Sequence, residues 1–171
     1  MRYLTLIRHA KSSWKDKRLP DLTRPLNRRG EVNAPEMGRR LSQSGVSFEH
    51  MFSSPATRAI VTAEAIASVL QLPSHHILVC QNLYTFSSDD ILAFIRCFDS
   101  TMNHVAIVCH NPAMTDLLNH LSGADIENVP TCGVARLRFA VDDWREADAD
   151  TAKLLSFDYP KSHLLEEAVA S

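Results

Sequence analysis

A chain of 171 residues, 45% apolar and 22% charged, fits one folded domain spanning residues 1–171 and excludes a disordered or fibrous chain. No apolar run approaches the roughly 20 residues of a membrane-spanning helix, and Arg2 opens a strand-like run with none of the apolar core of a signal peptide. The net charge of −2 is unevenly spread: residues 1–40 hold 11 Lys and Arg against 4 Asp and Glu, and the remainder hold 7 against 16, which points to an anionic ligand bound at one place rather than a surface built for nucleic acid.

Residues 3–7 are an apolar, β-rich run ending at Arg8-His9, the pattern of a buried first strand. Residues 11–27 are charged, contain Pro20 and Pro25 and lack periodicity, so a long loop is expected over the end of that strand. Ala34, Met37 and Leu41 have helical spacing and Gly45 stops the helix, with Pro35 placed either in its first turn or at a kink. Residues 48–53 read as a second strand. Ser54-Pro55 then resembles an N-cap followed by proline at the first helical position, so a second helix is expected from there to about Leu70, with Ile60, Ala63, Ala67 and Leu70 on one face.

A third strand is expected over residues 76–80, and Ser87-Ser88-Asp89-Asp90 starts a helix reaching Phe98. Residues 105–109 form a fourth strand that His110-Asn111-Pro112 breaks, and residues 114–121 a helix that Gly123 ends. Arg136 and Arg138 alternate with Ala135, Leu137 and Phe139, the pattern of a strand with one wet face, and residues 152–157 form another. The tail after Pro160 has no readable role. Strands separated by helices predict an α/β fold: a three-layer α/β/α sandwich with a mostly parallel central sheet and an antiparallel edge.

In this topology His9, Arg58 and His110 all lie beyond the carboxyl ends of strands, where open parallel sheets form ligand sites. Arg58 stands in the first turn of a helix, where the helix dipole favours Asp or Glu, so something anionic should compensate it. A phosphoryl group held by Arg8, Arg58 and nearby helix amides supplies that charge. Neutral imidazole is a competent nucleophile towards phosphorus, which gives His9 a role, and His110 is suited to orienting the phosphate.

Other chemistries lack their patterns. There is no HxH, HExxH or Cys/His ligand spacing for a metal, no GxxxxGK[ST] loop and no GxSxG elbow. No metal and no cofactor are expected, the arginines taking the electrostatic part that magnesium plays in many phosphoryl-transfer enzymes. Cys109 lacks the CxxxxxR loop of a cysteine phosphatase and reads as a small buried hydrophobe. Cys80, Cys97, Cys109 and Cys132 show no CxxC spacing, which suits a reduced cytoplasm.

Leu6-Ile7-Arg8-His9-Ala10, Ser53-Ser54-Pro55-Ala56-Thr57-Arg58-Ala59 and Val108-Cys109-His110-Asn111-Pro112 together resemble the histidine phosphatase, or phosphoglycerate-mutase-like, superfamily. Arg8-His9-Ala10-Lys11-Ser12-Ser13-Trp14, Asp21 and Arg24-Pro25-Leu26-Asn27 resemble its SixA-type phosphohistidine phosphatases more narrowly. The resemblance implies that His9 is the phosphorylated nucleophile, that Arg8 and Arg58 bind the phosphoryl group, that His110 completes the pocket, and that Ser12 and Asn111 contact substrate. It also implies a phosphohistidine-bearing phosphotransfer protein, or else a small phosphorylated molecule, as partner. Ala10 and Cys109 stand where the superfamily usually has glycine.

The superfamily's acidic general acid has no counterpart in Leu83-Tyr84-Thr85-Phe86, leaving Asp21 and Asp89 as weak substitutes. Both have structural readings, Asp89 in a helix first turn and Asp21 in organising the loop. A missing acid favours phosphoramidates, whose imidazole leaves far more readily than an alkoxide. The alternatives are a broad small-molecule phosphomonoesterase using the same His9, or a phosphoprotein-binding module with little turnover.

Overall fold

The chain runs β1 (Arg2–Arg8), α1 (Arg28–Gln43), β2 (His50–Ser53), α2 (Thr57–Val69), β3 (Ile77–Val79), α3 (Ser88–Ile95), β4 (His104–Cys109), α4 (Ala113–Ser122), β5 (Val134–Phe139) and β6 (Ala152–Asp158). This computed structural model describes residues 1–162, so the end of the C-terminal tail lies outside the described residues. One six-stranded sheet is ordered β3-β2-β4-β1-β5-β6. β3, β2, β4 and β1 are mutually parallel, while β5 and β6 add an antiparallel edge, as the strand and helix order predicts.

β1 and β4 are central and apolar on both faces, as strands covered by helices on each side must be. Leu4, Leu6, Val105, Ile107 and Cys109 point into one core with α3 and α4, and Ile7, Ala106 and Val108 into another with α1 and α2. The period-two alternation of the strands thus fills both outer layers of the sandwich. In the first core Trp144 is fully buried, with its indole N–H donating to the Met102 carbonyl at 2.8 Å. Among the described residues no helix is long and apolar enough to cross a membrane.

One helix start decides between the alternatives left by the sequence, and another departs from it. α1 begins at Arg28, capped by the Asn27 side chain, which accepts from the Gly30 N–H at 2.9 Å. Pro35 consequently lies in the helix interior, not its first turn. α2 begins at Thr57 rather than at Ser54-Pro55, and its buried face is Ala59, Thr62, Ala63, Ile66 and Ala67, with Ile60 and Leu70 only half-buried. The Ser54 hydroxyl does accept from the Ala56 N–H, but His110 takes it as well. Gly123 ends α4 in the left-handed conformation at φ 72°.

The loop over residues 11–27 is closed at its base. Asn27 N–H donates to the Lys11 carbonyl at 2.9 Å, Ser13 N–H to the Pro25 carbonyl at 2.8 Å, and Ser12 bridges Leu26. Gly30 makes this closure possible, because a Cβ there would stand 2.3 Å from the Lys11 carbonyl oxygen.

Candidate active site at the carboxyl edge of the sheet

Parallel pairing sets Arg8 of β1 beside Cys109 of β4, so His9 and His110, one residue further on, emerge side by side. Their ring centroids are 5.1 Å apart. They share a cleft of about 600 Å³ with Arg8, Lys11, Ser12, Trp14, Asp21, Arg24, Arg58, Phe86 and Asn111, and the 128–131 segment closes one side. The sequence-predicted residues His9, Arg8, Arg58, His110, Ser12 and Asn111 therefore meet in one place.

His9 is 7% exposed, and its Nδ1 lies 2.7 Å from the Ala10 carbonyl oxygen. A carbonyl only accepts, so Nδ1 carries the proton and the neutral ring keeps its lone pair on Nε2. Burial, reinforced by the charges of His110, Arg58 and Arg8, pushes the His9 pKa down to about 3 against a hydrogen bond to Ala10 that opposes it. Thr62 fixes the same residue through its other backbone group: its Oγ1 accepts from the Ala10 N–H at 2.9 Å and donates to the Arg58 carbonyl at 2.7 Å. One threonine so ties the His9 and Arg58 segments together.

Arg58, 5% exposed, meets its compensating anion within the chain itself. Its guanidinium donates to the Asp21 carbonyl at 2.7 Å and to the Asp21 carboxylate at 2.9 Å. Asp21 also accepts from Arg24 at 3.1 Å and from the Tyr84 hydroxyl at 2.5 Å. Burial alone would raise the Asp21 pKa, but the bonds from Tyr84 and Arg58 outweigh it and hold the carboxyl well below the usual range. Asp21 is thus a fixed carboxylate and unfit to donate a proton. Asp89 is exposed in the first turn of α3 and does not line the cleft.

His110 is 4% exposed and lies between two partners, the Ser54 hydroxyl 2.6 Å from Nε2 and the Arg58 guanidinium 3.5 Å from Nδ1. Because a hydroxyl both donates and accepts, Ser54 satisfies either neutral tautomer of His110. The guanidinium only donates, so its contact suits the neutral tautomer with Nδ1 accepting and Nε2–H donating to Ser54. Burial and the Arg58 charge lower the His110 pKa to about 4.

Arg8 donates to the Val129 carbonyl at 2.9 Å. Asn111 donates to that carbonyl at 2.9 Å and to Asn128 at 3.0 Å, while its own oxygen accepts from Thr115. All the polar atoms of its side chain are engaged, so Asn111 braces the segment that holds Arg8. Ser12 accepts from Arg24 at 2.7 Å and keeps its hydroxyl proton available. Burial pushes the Cys109 thiol up to about 12, which fits a packing residue rather than a nucleophile.

Sequence reasoning missed Ser54, Thr62 and Tyr84. Thr62 was legible in principle, lying four residues after Arg58 on the same helix face. Tyr84 and Asp21 had no local signal, because they meet only through the packing of two distant loops.

Neutral burial of both histidines has a consequence for stability. Their folded pKa values lie below the unfolded value of 6.5, so between about pH 4 and 6.5 the unfolded chain binds protons that the folded chain refuses. The stabilisation is present above pH 6.5 and is lost on acidification, at up to about 1.4 kcal/mol per pH unit for each histidine. Denaturant unfolding from pH 7 to 4 should show this slope, and His110→Asn should flatten it. An equal slope in the variant contradicts neutral burial of His110.

The profile of the histidine phosphatase superfamily (branch 1) matches residues 4–77, a span holding His9, Arg8 and Arg58 but ending before His110. An uncharacterized chloroplastic protein of Arabidopsis thaliana is 33% identical over 159 residues, covering 86% of this chain and 71% of that protein. A candidate phosphohistidine phosphatase SixA from Agrobacterium tumefaciens has a similar fold, with a TM-score of 0.79 at 24% identity over 93% of this chain and 98% of that one. The protein histidine phosphatase SixA complexed with tungstate gives 0.77 at 20% identity, covering 92% and 97%. The SixA structures share the fold, and the family profile matches across the span that holds Arg8, His9 and Arg58: the chain belongs to the histidine phosphatase superfamily.

Proposed function

We propose that this protein is a phosphatase that passes a phosphoryl group through His9 to water, with phosphohistidine on a phosphotransfer protein as its substrate. The observation that carries the reading is the state of His9: a neutral ring at the cleft floor, its Nδ1–H held by Ala10 and its Nε2 lone pair free beside two guanidiniums. Nε2 attacks phosphorus, the P–N bond of the substrate breaks, and the expelled imidazole takes a proton from water. Water then attacks phospho-His9, releasing inorganic phosphate and restoring Nε2.

Arg8 and Arg58 neutralise the equatorial oxygens, and electrostatic stabilisation of this kind is the main catalytic effect in phosphoryl transfer. The negative phosphoryl group raises the proton affinity of His110, which donates to it while Ser54 keeps the other ring nitrogen bonded. Asp21 supports the choice of substrate. As a fixed carboxylate it has no proton for an alkoxide, whereas imidazole leaves without one from a carboxyl group. A cytoplasmic setting accords with four cysteines that are all free.

The test compares phosphate release from a phosphohistidine-bearing protein and from p-nitrophenyl phosphate, both with chelator present. Release that survives chelation and favours phosphohistidine supports the reading. A preference for p-nitrophenyl phosphate points to the broad phosphomonoesterase, and phosphate binding without turnover to the binding module. Loss of activity on chelation contradicts a metal-independent mechanism.

Thr62 provides a check on how His9 is held. Thr62→Val leaves the Ala10 N–H buried without an acceptor, and the lost restraint should lower kcat by about tenfold while KM stays near its wild-type value. Thr62→Ser keeps the hydroxyl and should restore most of kcat. If Ser fails to rescue Val, Thr62 acts by packing alone.

A further inference from the structure

Eleven large hydrophobic side chains are exposed among the described residues, and five of them, Trp14, Leu19, Leu22, Tyr84 and Phe86, lie on the two loops that border the cleft. Trp14 is 70% and Phe86 77% exposed, and both line the cleft itself. Scattered apolar side chains need no explanation, but a cluster around one opening marks an interaction surface.

Parts of this rim are also tethered. The Trp14 ring lies 3.5 Å from the Arg24 guanidinium, which is anchored to Ser12 and Asp21. The Tyr84 hydroxyl bonds Asp21, joining the second loop to the first. Phe86 sits at a turn where Thr85 bonds Asp90 and accepts from the Ser87 N–H. Side chains ordered before binding lose less entropy on contact.

Charge indicates the kind of partner. Lys11, Lys15 and Lys17 form no ion pair among the described residues, and Arg18 is paired only with the exposed Asp16. A small phosphorylated molecule filling the cleft would leave Leu19 and Leu22, which lie outside its lining, uncovered.

We infer that this rim is the docking surface for the protein that bears the phosphoryl group, with Trp14 and Phe86 as its apolar anchors and the three lysines facing acidic side chains of that partner. This inference rests on the function proposed above and adds the residues that select a protein over a free phosphoramidate. Exposed tryptophan is among the residues that most often dominate binding energy once covered, and the lysines speed encounter with an acidic surface.

The experiment measures kcat/KM for a phosphohistidine-bearing phosphotransfer protein and for phosphoimidazole, in the wild type and in the Trp14→Ser, Phe86→Ser double variant. The protein-to-phosphoimidazole ratio should fall by about tenfold or more in the variant. In the wild type, added salt should slow the protein reaction more than the phosphoimidazole reaction. An unchanged ratio overturns the docking surface while leaving the proposed chemistry intact, as does wild-type enzyme that turns over phosphoimidazole but not the protein. Sedimentation with anionic vesicles that is lost in the double variant overturns it in favour of a membrane surface. Wild-type enzyme inactive on both substrates overturns the proposed function, and the docking role with it.

Discussion

His9→Asn should lower turnover by on the order of ten-thousandfold or more, the scale of losing a covalent nucleophile that acts as part of a unit. Asparagine can still approach the Ala10 carbonyl, so the fold is expected to persist, but it offers phosphorus no nitrogen lone pair. Stability measured at pH 7 should change little beside the loss of rate, because the wild-type ring is already neutral there. Phosphate should still bind, since Arg8, Arg58 and His110 remain. If His9→Asn keeps more than a tenth of the wild-type kcat, His9 is not the nucleophile.

Arg58→Ala should cost about a hundred- to a thousandfold in kcat/KM, the effect of removing one preorganised charged donor from a developing oxyanion. Two effects add here. The phosphoryl oxygens lose a guanidinium, and Asp21 loses one of the two guanidiniums that offset its charge, leaving a less compensated carboxylate facing an incoming anion. Arg58→Ala, Asp21→Asn should therefore recover part of the loss by removing that repulsion. Arg58→Lys should recover less than a purely electrostatic role implies, because a single ammonium cannot reproduce the two bonds to Asp21 and the approach to His110. A double variant no better than Arg58→Ala contradicts a repulsive Asp21.

How much of this was legible in the sequence depends on the range over which each feature is determined. β1 and β4 were readable because strands buried on both faces are continuously apolar, and placing His9 and His110 just beyond them needed only the carboxyl-edge rule. The anomaly of Arg58 in a helix first turn was also readable, but not its resolution: the anion that meets it belongs to Asp21, on a loop whose course no periodicity reveals. Ser54 was misread because Ser-Pro before an apolar run is a sound helix-start pattern, and only tertiary structure shows the helix starting at Thr57 with the hydroxyl shared with His110.

For α1 the spacing left Pro35 either in the first turn or at a kink, and the start at Arg28, capped by Asn27, puts it in the helix interior, where tertiary packing can outweigh its cost. Ala34, Met37 and Leu41 supply that packing against α2 and the sheet. Asn111 came from the resemblance as a substrate contact, yet its side chain is occupied with Asn128, Val129 and Thr115. Bracing roles of this kind depend on the 128–131 segment folding back over the cleft, which leaves no trace in spacing or composition.

The central claim is the covalent intermediate on His9, and the most direct measurement is to quench the enzyme within milliseconds of mixing with a radiolabelled phosphohistidine protein and map the label. The expected result is enzyme-bound phosphate that is labile to acid and stable to base, located on His9 and absent from His9→Asn. Turnover with no labelled enzyme at any quench time, or label on another residue, would contradict it.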